Sequence, residues 1–558
     1  MSTTTTPTPP RVRAEAGAAQ RGPLTGTGTV LRFMLRRDRI RFPAWTLGLT
    51  AMMAYFANAL PLIFGDEDSL ETLTVFVTNP AMALIGGRGY GFDDITLPRF
   101  LVGMYGVFVM LGAALMSIMT VSRHTRAEEQ TGRAELVRAN VTGRHAQLTA
   151  ALVVAVAMNV VVAVLMGAAL MGSAMEPEPA SSAFLFALSI GAVGLAFAGV
   201  TAVTVQLSPY SRAASGMAGA VLGAAFAVRG LGDMSAAQDG GLGWLSWLSP
   251  LGWAQQTAPF TYDRWWPLLL PVLLLVVLSA VAYGLQGTRD LGAGLLPDRL
   301  GSAHAAEWLR GPLSLAYRLQ RAGLIGWSVA MLVAGIAFGA FAQPMEEGVA
   351  GMPDEIVELM GGAGEIVDGY LGFMGLYFAI MVAAYAIISV QGLRGEEQGV
   401  RAEPVLATPV SRSRWLLSWS AVTAAGALWL LLLAGVGEGL GAAATIGDWD
   451  LLAPTVLGHV AHTPVVWFFL GLAAVLYGLA PRAVGLVWAV YAFGVLMSLF
   501  GPMLEPPQAA LDASPFLHIG QHPAEEISWV AATLLTAVAV ALVAGGAAAF
   551  RRRDLVTA

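Results

Sequence analysis

The residues best able to do chemistry in this chain sit in two short stretches that read alike. One runs Arg126-Ala-Glu128-Glu129-Gln130-Thr-Gly-Arg133-Ala-Glu135, the other Arg394-Gly-Glu396-Glu397-Gln398-Gly-Val-Arg401-Ala-Glu403. Mixed acids and arginines of this kind suit recognition of a partner surface. A helix starting near Glu128 places acids in its first turn, where they complement the helix dipole. Glu129 and Arg133 then stand at i,i+4, the favourable order for a helical ion pair, and Glu397 and Arg401 repeat it. Glu128 and Arg133 are five apart and do not face each other on such a helix. The spacing predicts a short, rigid, charged helix along the membrane surface in each stretch. Glu128, Glu129, Gln130, Arg133 and Glu135, with Glu396, Glu397, Gln398, Arg401 and Glu403, are thus candidate docking residues. The bland alternative is a solvated, ion-paired connector, and the repetition counts against it.

Other chemistry is excluded or weakly supported. Without cysteine there is no thiolate nucleophile, disulfide or zinc-thiolate site. All 31 basic residues are arginine. The phosphate-binding Gly-x-x-x-x-Gly-Lys-Ser/Thr loop needs a lysine, so this chain is not expected to hydrolyse ATP, and no catalytic residue is assigned. His459 and His462 share a helix face, but no third ligand is evident and a metal site is not expected. Trp244, Trp247 and Trp253 lie in a long apolar segment, 233–264, and are candidates for an outer gate; an interfacial aromatic belt explains them equally. Asn58, Asn159 and Gln206 fall inside apolar runs and read as helix-to-helix hydrogen bonds. No charged residue is expected deep in a span, where it would cost about 2.5–3.5 kcal/mol.

These residues are set among long apolar runs. The chain has 558 residues, 56% of them hydrophobic and 12% charged, with mean hydropathy +0.65, against about 25% charged in soluble domains. Twelve runs reach the roughly 20 residues needed to cross a bilayer as a helix: 43–64, 97–121, 148–172, 183–206, 212–232, 265–286, 322–342, 371–393, 415–437, 455–480, 482–502 and 527–550. With the N-terminus inside, the inner segments hold 27 arginines and the outer ones only Arg88, Arg99, Arg229 and Arg264, while 25 of 37 acids fall outside. That sorting predicts cytoplasmic N- and C-termini. The stretch 343–370 has seven acids and no base, as expected where arginine is excluded. Residues 1–28 read as a disordered cytoplasmic tail without a secretory signal.

The chain is also a repeat. Arg36, Arg39 and Trp45 match Arg318, Arg321 and Trp327; the two charged stretches align without a gap through Arg144 and Arg412; Ser249-Pro250 matches Ser514-Pro515; Arg289-Asp290-Leu291 matches Arg553-Asp554-Leu555. The order is the same in both halves, so two parallel six-helix repeats are expected, 29–286 and 312–558, joined by a cytoplasmic linker, 287–311. The segment 29–42 is moderately amphipathic, with Arg32, Arg36 and Arg39 on one face and Leu31, Leu35 and Phe42 on another; Arg37 and Arg41 break the pattern.

The tail of the second stretch, Leu406-Ala-Thr-Pro-Val-Ser-Arg412, together with Glu397, Gly399 and Glu403, resembles the loop after the second span of type-2 ABC export permeases. The first half fits more loosely, through Glu129, Glu135, Ala139 and Arg144, with Gly132 shifted by one. Leu248-Ser-Pro-Leu-Gly-Trp-Ala-Gln-Gln256 with Asp263-Arg-Trp-Trp-Pro267 is similar to the duplicated, twelve-span subgroup that exports polyketide antibiotics. The resemblance implies a permease in the bacterial inner membrane that moves hydrophobic or amphiphilic small molecules outward. It implies two copies of a separate ABC ATPase subunit, carrying the ATP and magnesium, on the two charged loops. It further implies that 29–42 lies on the inner surface and that 233–264 holds short re-entrant helices. No nucleic-acid partner is expected. The rivals are a proton-coupled secondary drug carrier, a membrane-embedded enzyme and a non-transporting sensor of antibiotics.

Overall fold

In the computed structural model the described residues are 22–64, 80–138, 142–296, 301–343, 366–504 and 506–555. Most of the expected tail and of the acidic stretch lies outside them. The protein is an all-α polytopic membrane protein, with no strand among the described residues. Twelve helices are long and apolar enough to span: α1 (Arg41–Ile63), α2 (Leu97–Gln130), α3 (Ala146–Met171), α4 (Ala180–Leu207), α5 (Ser211–Ala237), α6 (Trp266–Thr288), α7 (Pro312–Gly339), α8 (Ile366–Gln398), α9 (Arg412–Ile446), α10 (Trp449–Leu479), α11 (Pro481–Leu499) and α12 (Trp529–Arg552).

The chain divides into two compact units, Met1–Arg299 with α1–α6 and Leu300–Ala558 with α7–α12. Each unit builds itself the same way. In both, the second, third and fourth helices are enclosed and the first, fifth and sixth are peripheral. In the first unit α4 packs on α2, α3 and α6; in the second α9 packs on α7, and α10 on α12. α6 shows Leu269, Leu273, Val276 and Val277 on its exposed side, a stripe at helical spacing suited to lipid.

The tightest packing is between α7 and α9. A Cβ on Gly339 would lie 2.0 Å from the Glu438 carbonyl oxygen, one on Gly335 2.5 Å from that of Ala434, and one on Gly437 2.6 Å from that of Leu332. Gly335-xxx-Gly339 and Gly437-xxx-Gly441 therefore bring two backbones together where side chains would hold them apart. α10 is built of two segments, Leu452–Ala461 and Thr463–Leu479, because Pro464 lacks the N–H needed to continue the ladder.

A short helix, Thr27–Arg37, precedes α1 and packs on α3. Its buried residues are Val30 and Met34; of the expected apolar face, Leu31 and Phe42 pack beside them while Leu35 is exposed. The two arginines that broke the pattern have tertiary roles: Arg37 binds Glu128, and Arg41 lines a cavity.

Candidate functional site

The charged stretches do not form free-standing surface helices. Arg126–Gln130 continues α2, and Glu396 and Glu397 form the last turn of α8. After each break comes only a short helix, Arg133–Arg138 in one unit and Ala402–Leu406 in the other. The break falls at equivalent positions: Gly132 has φ +70° and Val400 φ +59°. Glycine adopts that left-handed backbone freely, whereas a β-branched residue is strained there. The glycine shifted by one in sequence is thus a conformational equivalence in space.

The break rearranges the expected pairs. Arg133 approaches Glu128 (3.9 Å) rather than Glu129. Arg401 forks onto Glu396, with Nε–Oε2 of 2.8 Å and Nη2–Oε1 of 2.9 Å, rather than pairing with Glu397. An i,i+4 pair requires an unbroken helix; a left-handed residue between the partners brings the residue five away into reach instead.

Glu129 and Glu397 turn inward. The Glu129 side chain is 4% exposed and takes Arg126 at 2.6 Å and Arg289 at 2.9 Å. Glu397 is 3% exposed and takes both terminal nitrogens of Arg553 at 2.8 Å; the Tyr477 hydroxyl donates to it at 2.6 Å. Burial works against the Arg553 cation, yet the hydrogen bonds and charge of Glu397 outweigh it, so the guanidinium titrates above the ordinary arginine value. Arg289 and Arg553 follow the last helix of each unit. Arg144 donates to the carbonyls of Gln286 (2.8 Å) and Gly287 (2.7 Å) and reaches that of Arg289 (3.4 Å), and Arg412 donates to the carbonyl of Arg553. Two anchors of the sequence repeat, the charged stretch with its closing arginine and the Arg-Asp-Leu after the sixth helix, therefore meet in one clamp per unit, fastening the end of the second helix to the end of the sixth.

The remaining candidates face outward. Gln130, Arg133 and Glu135 are exposed, as are Gln398 and Arg401, with Glu403 half-buried. Gln130 also accepts from the Ser211 amide at 3.1 Å, tying the loop to the start of α5. The tryptophans lie at the other end of the first unit, on the turn Gly243–Leu248 and the helix Pro250–Gln255. Trp253 Nε1 donates to the Trp247 carbonyl at 2.5 Å, Trp247 stacks on Trp266 at 5.4 Å, and Trp244 is exposed. Asn159 donates to Ser117 (2.8 Å) and Gln206 accepts from Arg289 (2.7 Å), linking helices as expected.

Two buried ionisable pairs lie within helices long enough to span, where the sequence suggests no buried acid. Arg229 and Asp233 on α5 are 3.4 Å apart, and Arg229 also donates to the carbonyls of Leu84 and Ile85, each at 2.9 Å. On α9, which runs past the expected end at 437 to Ile446, Glu438 is fully buried with Oε2 2.8 Å from Nε2 of His459. His459 Nδ1 is on the Thr455 carbonyl (2.9 Å), so one proton between Nε2 and the carboxyl makes the contact attractive. His462 instead bonds the Gly458 carbonyl (2.9 Å) and does not join the pair. No group of three ligands able to hold a metal occurs among the described residues. The i,i+4 spacing of Arg229 and Asp233 could have revealed the first pair; nothing local signals the second, whose members lie on different helices.

Two six-helix units, each with a buried carboxylate clamp between its second and sixth helices, define a polytopic permease-type membrane protein. The chain belongs to the family described as multidrug efflux system permease Rv1217c, C-terminal domain, whose model matches residues 28–289 and 309–551. It is similar to the multidrug efflux system permease protein Rv1217c of Mycobacterium tuberculosis (strain ATCC 25618 / H37Rv), at 35% identity over 536 residues, 95% of each chain.

Proposed function

We propose that this chain is the membrane-spanning permease of an ABC exporter, moving hydrophobic or amphiphilic small molecules, antibiotics among them, out across the bacterial inner membrane. Two copies of a separate ATPase subunit, binding ATP and magnesium, dock on 122–147 and 394–414, and both termini are cytoplasmic. The observation that carries the reading is the repeated clamp. A surface connector needs no buried carboxylate; a loop that transmits a push from a partner needs a rigid attachment to the helices it moves, and the clamp supplies one at each of two equivalent places. The efflux permease relative supports the substrate class, and the arginine sorting supports the orientation. A gate role for Trp244, Trp247 and Trp253 is part of the same proposal.

The buried Glu438–His459 and Arg229–Asp233 pairs remove one argument against a proton-coupled carrier, the lack of buried charge. What still favours ATP coupling is the pair of clamped loops. Efflux from inverted vesicles decides between them: ATP-dependent transport that survives a protonophore, with an ATPase co-purifying on the tagged chain, is expected. Transport that needs no ATP and collapses with the proton gradient would overturn the assignment.

A further inference from the structure

Beside the clamp of the first unit lies a cavity of about 390 Å³, within the usual size of small-molecule sites. Its lining combines the apolar Trp45, Met119 and Met158 with Arg41, Arg123 and Arg212. Asp38 is the one acid in the lining, and its charge is already met by His124 at 2.6 Å and Arg123 at 3.4 Å. Arg123 keeps a buried Nε with no partner among the described residues, and Arg41 and Arg212 are exposed there. Three arginines against one carboxylate make the lining net positive.

The second unit lacks this arrangement. In the register set by Arg36 with Arg318 and Arg126 with Arg394, the counterparts of Asp38, Arg41, Arg123 and His124 are Gln320, Gly323, Gln391 and Gly392. Gln320 there accepts from the hydroxyls of Ser389 (2.9 Å) and Thr423 (3.0 Å), forming a neutral network. The Trp45 position keeps its tryptophan, Trp327. If these charges served topology alone, both repeats would carry them, because both repeats start on the same side.

We propose that this cavity is a binding site for amphiphiles with an anionic head, a carboxylate or phosphate held by the guanidinium forks with its apolar part over Trp45, Met119 and Met158. The two repeats then differ in role: the first admits the ligand, the second does not. The proposal deepens the export reading and rests on it for the fate of the ligand, but not for binding.

The test uses the full-length protein in a neutral maltoside detergent and two fluorescent probes, dansyl-undecanoic acid and its methyl ester. The acid is expected to bind about tenfold or more tighter than the ester, and Arg123→Gln or Arg212→Gln to weaken it by about tenfold, the size of one charge-assisted hydrogen bond. Arg123→Lys should recover part of the loss, and Arg414→Gln, an exposed arginine in the second unit, should change nothing. Arg212 is exposed, so its variant keeps the site testable should Arg123→Gln fail to fold. Displacement of the acid by short-chain phosphatidylglycerol but not phosphatidylcholine identifies a lipid headgroup as the occupant; acid binding that phosphatidylglycerol leaves untouched identifies a free acid, and both support the site. Equal binding of acid and ester, or unchanged acid binding in both glutamine variants, overturns it. Binding that is intact while ATP drives no transport of any amphiphile would sink the export reading and leave the site standing.

Discussion

Glu129 and Arg289 lie 160 residues apart in sequence and meet at 2.9 Å, and Glu397 and Arg553 meet in the same way, 156 residues apart, at 2.8 Å. Each pair joins the end of the second helix of its unit to the end of the sixth. The candidate docking residues thus divide by placement: Glu129 and Glu397 are held in the clamps, Glu128 is buried against Arg37, and Gln130, Arg133, Glu135, Gln398 and Arg401 are exposed.

Removing one side of a clamp should therefore act on the loop first. Breaking a buried ion pair costs about 3–5 kcal/mol. Glu397→Ala and Glu129→Ala are expected to loosen the backbone around the already exposed Arg401 and Arg133, speeding trypsin cleavage there, and to lower the thermal midpoint in detergent. The exchange Glu397→Arg with Arg553→Glu should recover part of the loss. Unchanged cleavage in both single variants would show the clamps to be dispensable.

Docking is better tested on the exposed set. Arg133→Glu, Glu135→Arg and Arg401→Glu lie at the surface, where ion pairs contribute about 0–1 kcal/mol. Stability should hold while co-purification with the ATPase falls, since like charge at an interface costs several kcal/mol. Glu526→Arg, on the far side of the second unit, serves as control. Full ATPase binding by all three variants would remove the docking role.

Val400 is a β-branched residue at φ +59° where its counterpart is Gly132. Val400→Gly should stabilise the second unit by up to about 1–2 kcal/mol, the cost of a left-handed side-chain-bearing residue. Gly132→Val should cost a similar amount in the first. Thermal unfolding of the two variants measures both, and a destabilised Val400→Gly would contradict the backbone assignment.

The α7–α9 contact makes a graded prediction. Gly339→Ala places a methyl against backbone and should destabilise by about 1–3 kcal/mol, the usual overpacking cost. Gly323→Ala and Gly326→Ala on the same helix meet nothing within 4 Å and should be neutral or better by propensity. Equal midpoints for all three variants would refute close helix approach here.

Much of this protein is legible in one dimension. The number of spans follows from the cost of leaving polar groups in hydrocarbon, which only long apolar helices avoid, and the twelve runs reappear as α1–α12. The repeat is equally visible, because its anchors keep their order. What sequence could not decide is which side of an element faces what. Glu128 and Glu129 are adjacent and chemically identical; only packing assigns Glu128 to Arg37 and Glu129 to Arg126 and Arg289. Arg37 and Arg41 look like defects in an amphipathic face until Glu128 and the cavity are placed beside them. Glu438 looks like the outer end of a span until α9 continues to Ile446 and His459 arrives from α10. Hydropathy and charge sorting are sums over segments and survive averaging, whereas an ion pair depends on two side chains brought within about 4 Å, and that distance exists only after the helices pack.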